Sequence, residues 1–161
     1  MSVRLITTVL TLILPASGAV AQMETHSAGR ALAEQFASGI DVNSDGTITF
    51  EELNNATDEA FASVDTDGDG SATFAEMRDW KYGFGELATF QGRDARFTTS
   101  IAIVFDIFDR DNDGLVTLEE HQTGIVNSSQ YADTDEDGVL TFEEYYEGFI
   151  YNIAMRNVFV E

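Results

Sequence analysis

Apolar residues recur at helical intervals along much of the chain. Leu32, Phe36 and Ile40 fall at four-residue steps, and Phe97, Ile101, Val104, Phe105 and Phe108 fall at i, i+4, i+7, i+8 and i+11. Each set occupies one face of a 3.6-residue helix, so both stretches are predicted to be amphipathic helices that bury that face. Phe61 and Val64 end a third such stretch. Tyr145, Phe149 and Ile153 continue at four-residue steps through a strongly apolar segment, 145–155, which is expected to pack inside. Four polar windows, 41–52, 65–76, 109–120 and 133–144, interrupt the pattern. The approach to the fourth differs from the others. Asn127, Ser128, Ser129 and Gln130 precede it and only Tyr131 is large, so the helix leading into it is expected to be short or irregular.

The first residues have a different pattern. Arg4 is followed by a ten-residue apolar run, Leu5 to Leu14, then by Pro15, Ser17, Gly18 and the small-x-small triplet Ala19-Val20-Ala21. The run is too short for a bilayer core of roughly 30 Å. The layout is that of a cleavable secretory signal. The expected organisation is therefore a signal peptide at 1–21 and one mature domain at 22–161. That domain is expected to be exported, periplasmic or secreted behind a bacterial-type signal, with no membrane contact after cleavage.

Composition sharpens this reading. With 29 acids against 8 bases the formal net charge is −21, and there is no cysteine. Disulfide scaffolds, thiol enzymes and cysteine-ligated zinc are excluded, and so dense a negative charge disfavours nucleic acid and anionic lipid as partners. The acids are not spread evenly: 19 of the 29 lie in the four polar windows. The acidity is thus one repeated pattern and not a general solvated surface.

Aligned, the windows share a mechanical logic. Oxygen ligands at positions 1, 3 and 5 approach a cation from one side, and glycine at position 6 permits a sharp turn. Position 7 offers its backbone carbonyl, position 9 a side chain or a bridging water, and a glutamate at position 12 closes the far side with both oxygens. The first window supplies Asp41, Asn43, Asp45, Thr47 and Glu52, and the second Asp65, Asp67, Asp69, Ser71 and Glu76. The third supplies Asp109, Asp111, Asp113, Leu115 and Glu120, and the fourth Asp133, Asp135, Asp137, Val139 and Glu144. Position 9 is always threonine: Thr49, Thr73, Thr117 and Thr141. Hard oxygens closed by a bidentate glutamate suit Ca²⁺ over the smaller Mg²⁺. Metals that need nitrogen would have only His26 and His121, both expected on the surface. The first window has three acidic ligands and the others four, which makes it the weakest candidate.

This pattern resembles the EF-hand family in all four windows. The resemblance implies an all-α fold of helix-loop-helix repeats, up to four Ca²⁺ per chain, and short β-contacts between paired loops made by the residues at position 8. Those are Ile48, Ala72, Val116 and Leu140. The compact spacing, export and loop number are also similar to the lanmodulin family. That family carries proline at position 2, where this chain has Val42, Thr66, Arg110 and Thr134, so lanthanide binding is the minor alternative.

Spacing bears on how the loops pair. Only 12 residues, 53–64 and 121–132, separate the loops within each half. As one continuous helix of about 18 Å, each segment would hold its two loops at opposite ends, where they cannot meet. The longer stretch 77–108 can form a helical hairpin, with Trp80, Tyr82, Phe84 and Phe90 on its first arm and Gly92 near the bend. Loop 2 is then expected to pair with loop 3, and loop 1 with loop 4. Breaks at Thr57 and Gly124 would instead allow sequential pairing. No nucleophile–base set, phosphate loop or zinc signature is present, so the chain is not expected to be an enzyme. A calcium buffer or sensor is the leading functional reading, with a calcium-stabilised structural or protein-interaction module as the alternative. An unidentified protein partner is left open.

Overall fold

The computed structural model describes residues 27–80 and 83–159. The expected signal peptide, His26 and Tyr82 lie outside the described residues. No helix among the described residues is long and apolar enough to cross a membrane.

The fold is predominantly helical, as expected. Helix α1 (Ala28–Ile40) leads into loop 1, which contains the two-residue strand β1 (Ile48–Thr49). Helix α2 (Phe50–Val64) runs on to loop 2 and strand β2 (Ser71–Thr73). The short helices α3 (Phe74–Asp79) and α4 (Phe84–Phe90) follow, and the chain reverses at Gln91 and Gly92 into α5 (Asp94–Phe108). Loop 3 holds β3 (Leu115–Thr117), and α6 (Leu118–Ala132) leads to loop 4 with β4 (Val139–Leu140). Helices α7 (Phe142–Gly148) and α8 (Ile150–Phe159) complete the described chain.

The two short linkers are single helices. Thr57 does not break α2. Its hydroxyl donates to the carbonyls of Leu53 and Asn54 and so stays within the helix. Loops 1 and 2 therefore sit at opposite ends of α2, and loops 3 and 4 at opposite ends of α6. The hairpin of α3, α4 and α5 returns loop 3 to loop 2. The strands pair accordingly, both antiparallel: Ile48 lies opposite Leu140, and Ala72 opposite Val116. The cross-pairing read from the spacing is the observed one. All four position-8 side chains are buried and join one contiguous core with Leu53, Phe61, Val104, Phe108, Ile125, Phe149 and Val158.

Three expectations are corrected. Helix α6 is regular to Ala132, not short. Its small residues serve close packing instead. The Ser129 hydroxyl donates to the Ile125 carbonyl, and Ser128 Oγ accepts from the Ile150 N–H of α8 at 2.8 Å. Gly148 comes so near that a Cβ there would lie 2.6 Å from Ala132 Cα. The apolar stripe Tyr145, Phe149, Ile153 does not stay on one face. A bend at Phe149 separates α7 from α8, leaving Ile153 exposed while Met155, Val158 and Phe159 turn inward. His121, expected on the surface, is 4% exposed. Its ring packs between those of Phe61 (5.0 Å) and Phe108 (5.5 Å), because the first turn of α6 faces α2.

A polar clasp joins α1 to α7. Arg30 of α1 lies over the rings of Phe142 (4.8 Å) and Tyr146 (4.7 Å) in α7 and pairs with Glu143 and Glu34. This holds the helix that leads into loop 1 against the helix that leaves loop 4.

Candidate metal centres

Each loop is framed by two helix ends. The incoming helix ends with the position-1 aspartate as its C-cap. The backbone N–H groups of Asp41, Asp65, Asp109 and Asp133 donate to the carbonyls of Ala37, Phe61, Phe105 and Ser129. The outgoing helix begins with a reciprocal capping box. Thr49, Thr73, Thr117 and Thr141 accept from the backbone N–H of Glu52, Glu76, Glu120 and Glu144, and each glutamate carboxylate accepts from its threonine's N–H. The position-12 glutamate is thereby fixed as the N3 residue of a helix, with its carboxylate turned back towards the loop. The threonines were read from the sequence only as ligands or water carriers. Their capping role has its own signal, the repeated Thr-x-x-Glu spacing.

The loop backbone wraps round the position-1 carboxylates. The N–H groups of Gly46, Gly70, Gly114 and Gly138 donate to Asp41, Asp65, Asp109 and Asp133 at 2.9, 2.9, 3.0 and 3.0 Å. These glycines have φ between +87° and +90°, a region that L side chains rarely adopt. Position 4 is also left-handed in every loop, at Ser44 (φ 59°), Gly68 (73°), Asn112 (59°) and Glu136 (61°). The position-5 aspartates accept from the N–H of Thr47, Ser71, Leu115 and Val139.

The far side of each loop is closed by the glutamate's second oxygen. It accepts from the position-2 N–H of Val42 (3.1 Å), Thr66 (2.9 Å), Arg110 (3.0 Å) or Thr134 (2.9 Å). These hydrogen bonds favour the ionised form. The backbone N–H of Thr73 and the hydroxyls of Thr66 and Thr73 bring Glu76 down to about 2. The N–H of Thr141, with Thr134, does the same for Glu144, to about 2. Glu52 and Glu120 are also lowered, first by the N–H of Thr49 and Thr117. The closing glutamates are thus carboxylates at neutral pH.

In three loops the acids converge. Asp65, Asp67 and Glu76 offer oxygens within 4.8 Å of one another, as do Asp109, Asp111 and Glu120, and Asp133, Asp135 and Glu144. The position-5 aspartates lie outside these triads. Loop 1 forms no such triad, since its third position is the neutral Asn43. There the Asn43 amide donates to Asp45 Oδ2 at 3.0 Å and its oxygen accepts from the Asp45 N–H. The Thr47 hydroxyl and N–H, together with Asn43, lower the pKa of Asp45. Loop 4 shows the opposite balance. Desolvation, and after it the carboxylates of Asp137 and Glu144, raise the pKa of Asp135.

This donor set fits a hard divalent cation. It consists of oxygens with no sulfur and no nitrogen, most of them on carboxyl groups held by backbone donors, and like charges gathered there repel one another until a cation is shared between them. When bound, the metal would supply positive charge at the centre of each loop.

The EF hand family model matches residues 40–56, 101–124 and 130–150, which contain loops 1, 3 and 4. Loop 2 lies outside the matched stretches, yet it has the same capping box, the same glycine turn and an acidic triad. No curated protein matches the chain.

Proposed function

The chain is an EF-hand protein, and from that premise we propose that it is an exported calcium buffer that holds up to four Ca²⁺ in loops 1 to 4. The observation that carries this reading is the convergence of position-1, position-3 and position-12 carboxyl groups in loops 2, 3 and 4. The proposed ligands are the twenty residues named from the sequence, with loop 1 the weakest site because it has three acidic ligands where the others have four. Residues 1–21 are read as the export signal and 22–161 as the functional domain. No catalytic role is proposed for any residue.

A buffer is favoured over a sensor by how the helices of loops 3 and 4 meet. A Cβ at Gly124 of α6 would lie 1.8 Å from the Phe108 ring of α5, and Gly148 of α7 is in near-backbone contact with Ala132 of α6. Helix pairs this close leave no gap for a partner's side chains, and the buried core has six Phe against two Met. Isothermal titration of the signal-free chain tests the reading. Ca²⁺ is expected to bind at up to four sites, more tightly than Mg²⁺, and a lanthanide is expected to lose to excess Ca²⁺. Absence of heat and of any conformational change at millimolar Ca²⁺ would overturn it, and retention of the lanthanide against excess Ca²⁺ would turn it towards the alternative metal.

A further inference from the structure

Every loop in this fold has two different neighbours. One is its strand partner: loop 1 meets loop 4 through Ile48 and Leu140, and loop 2 meets loop 3 through Ala72 and Val116. The other is the loop at the far end of a shared helix. Helix α2 carries the closing glutamate of loop 1, Glu52, in its first turn and ends at Asp65, the first ligand position of loop 2. Helix α6 carries Glu120 of loop 3 and ends at Asp133 of loop 4. Following these links from loop 1 leads through α2 to loop 2, across the strands to loop 3, through α6 to loop 4, and across the strands back to loop 1.

Resting on the calcium reading above, we propose that the four loops load as one closed ring, not as two independent pairs. Metal at one loop strengthens binding at its helix-linked neighbour as well as at its strand partner. Each shared helix is an unbroken strut about 22 Å long. Fixing Glu52 sets the direction of α2 and so the position of Asp65. Fixing Glu120 does the same for Asp133. The two struts are braced against each other where α2 packs on α6. Gln122 donates to Asp58 Oδ2 at 2.9 Å, and the Phe61 and His121 rings pack at 5.0 Å, tilted by 42°. Phe61 supplies the carbonyl that caps Asp65, and His121 directly follows Glu120. The brace therefore joins the start of loop 2 to the end of loop 3. At the opposite side of the ring the Arg30 clasp holds α1 on α7.

The position-6 glycine amides give one reporter per loop, because each donates to its own position-1 aspartate. Calcium titration of the signal-free chain, followed by the amide resonances of Gly46, Gly70, Gly114 and Gly138, reads the four midpoints separately. E120Q disables loop 3. The ring requires the loop 4 midpoint to rise at least fivefold, the low end of ordinary site–site coupling. Loop 2 should rise similarly and loop 1 less. Wild-type midpoints at loops 1 and 4 beside a shifted loop 2 would overturn the ring in favour of separate pairs. D111N, which gives loop 3 the asparagine that loop 1 has naturally, is the milder lesion and carries the same test should E120Q not fold. A cycle then locates the coupling. With α6 softened by V126G and Q130G at two exposed positions, the effect of the loop 3 lesion on loop 4 should fall towards onefold while its effect on loop 2 persists. An undiminished effect on loop 4 would count against α6 as the carrier. If no glycine of the natural chain moves at millimolar Ca²⁺, the calcium reading fails and the ring with it. If all four move but loop 4 ignores the lesion, only the ring fails.

Discussion

At the scale of single residues, the loops combine features that the sequence declares with others it conceals. Glu136 belongs to the second kind. It holds φ 61° at position 4 of loop 4, where loop 2 has glycine and loop 3 asparagine. A left-handed residue with a long side chain costs roughly 1–2 kcal/mol, and asparagine tolerates that region better. E136N is therefore expected to raise the thermal midpoint of the calcium-loaded chain, by an amount equivalent to about 1 kcal/mol. An unchanged or lower midpoint would show that the strain is not there. His121 is the second case. Burial among aromatic rings lowers its pKa to about 4, with Asp58 opposing. The unfolded chain takes up this proton near 6.5, the folded chain only near 4, so the folded state loses ground as pH falls between them. In chelator, denaturation midpoints should decline as pH falls from 6.5 towards 5, and H121L should flatten that decline. The convergent acids of loops 2, 3 and 4 and the glycine turns were legible because Asp, Gly and Glu recur at fixed offsets. The left-handed position 4 was not, because Ser44, Gly68, Asn112 and Glu136 share no chemistry. The burial of His121 was hidden because it depends on which helix α6 packs against.

At the scale of elements, helix boundaries followed from local chemistry, but helix contacts did not. The Thr-x-x-Glu boxes mark where α2, α3, α6 and α7 start, and the spacing of loops 1 and 2 favoured one helix between them over a break at Thr57. The irregularity expected before loop 4 arose from the lack of large apolar residues at Asn127, Ser128, Ser129 and Gln130. In the fold they are the small surface against which α7 and α8 lie, and that partner is distant in sequence. Three glycine substitutions separate these effects. Gly39 in α1 faces open space, so G39A should be neutral or stabilising by up to about 1 kcal/mol through helix propensity. G124A forces the Phe108 ring to move and should cost about 1–3 kcal/mol. G148A meets the backbone of Ala132, which cannot swing aside, and should cost more than G124A. Chemical denaturation in saturating Ca²⁺ gives the order, and equal midpoints for G148A and G39A would contradict the close approach of α6 and α7.

At the scale of the whole molecule, one balance governs the folded state: a single modest core without disulfides against clustered negative charge. Fifteen acids stand at the proposed ligand positions of the four loops, and in loop 4 desolvation, followed by the carboxylates of Asp137, Glu144 and Asp133, raises the pKa of Asp135. Without metal, the core and the capping boxes must oppose the clustered charge alone. With metal, binding free energy adds directly to folding free energy. Two different cations therefore have separable effects. Potassium chloride screens charge without occupying a loop, and at 1 M it shortens the screening distance to about 3 Å, so the chelated chain should gain helicity and thermal stability as salt rises. Calcium at a few millimolar, too dilute to screen comparably, should give a larger gain by filling the loops. Once calcium is bound, added salt should matter little, because the charges it would screen are already neutralised at contact. Circular dichroism melts in chelator, in chelator with salt, and in Ca²⁺ with and without salt measure all four corners. If salt stabilised the chelated and loaded chains equally, the repulsion would lie outside the loops. If salt did nothing to the chelated chain, clustered charge would not be what the metal has to overcome.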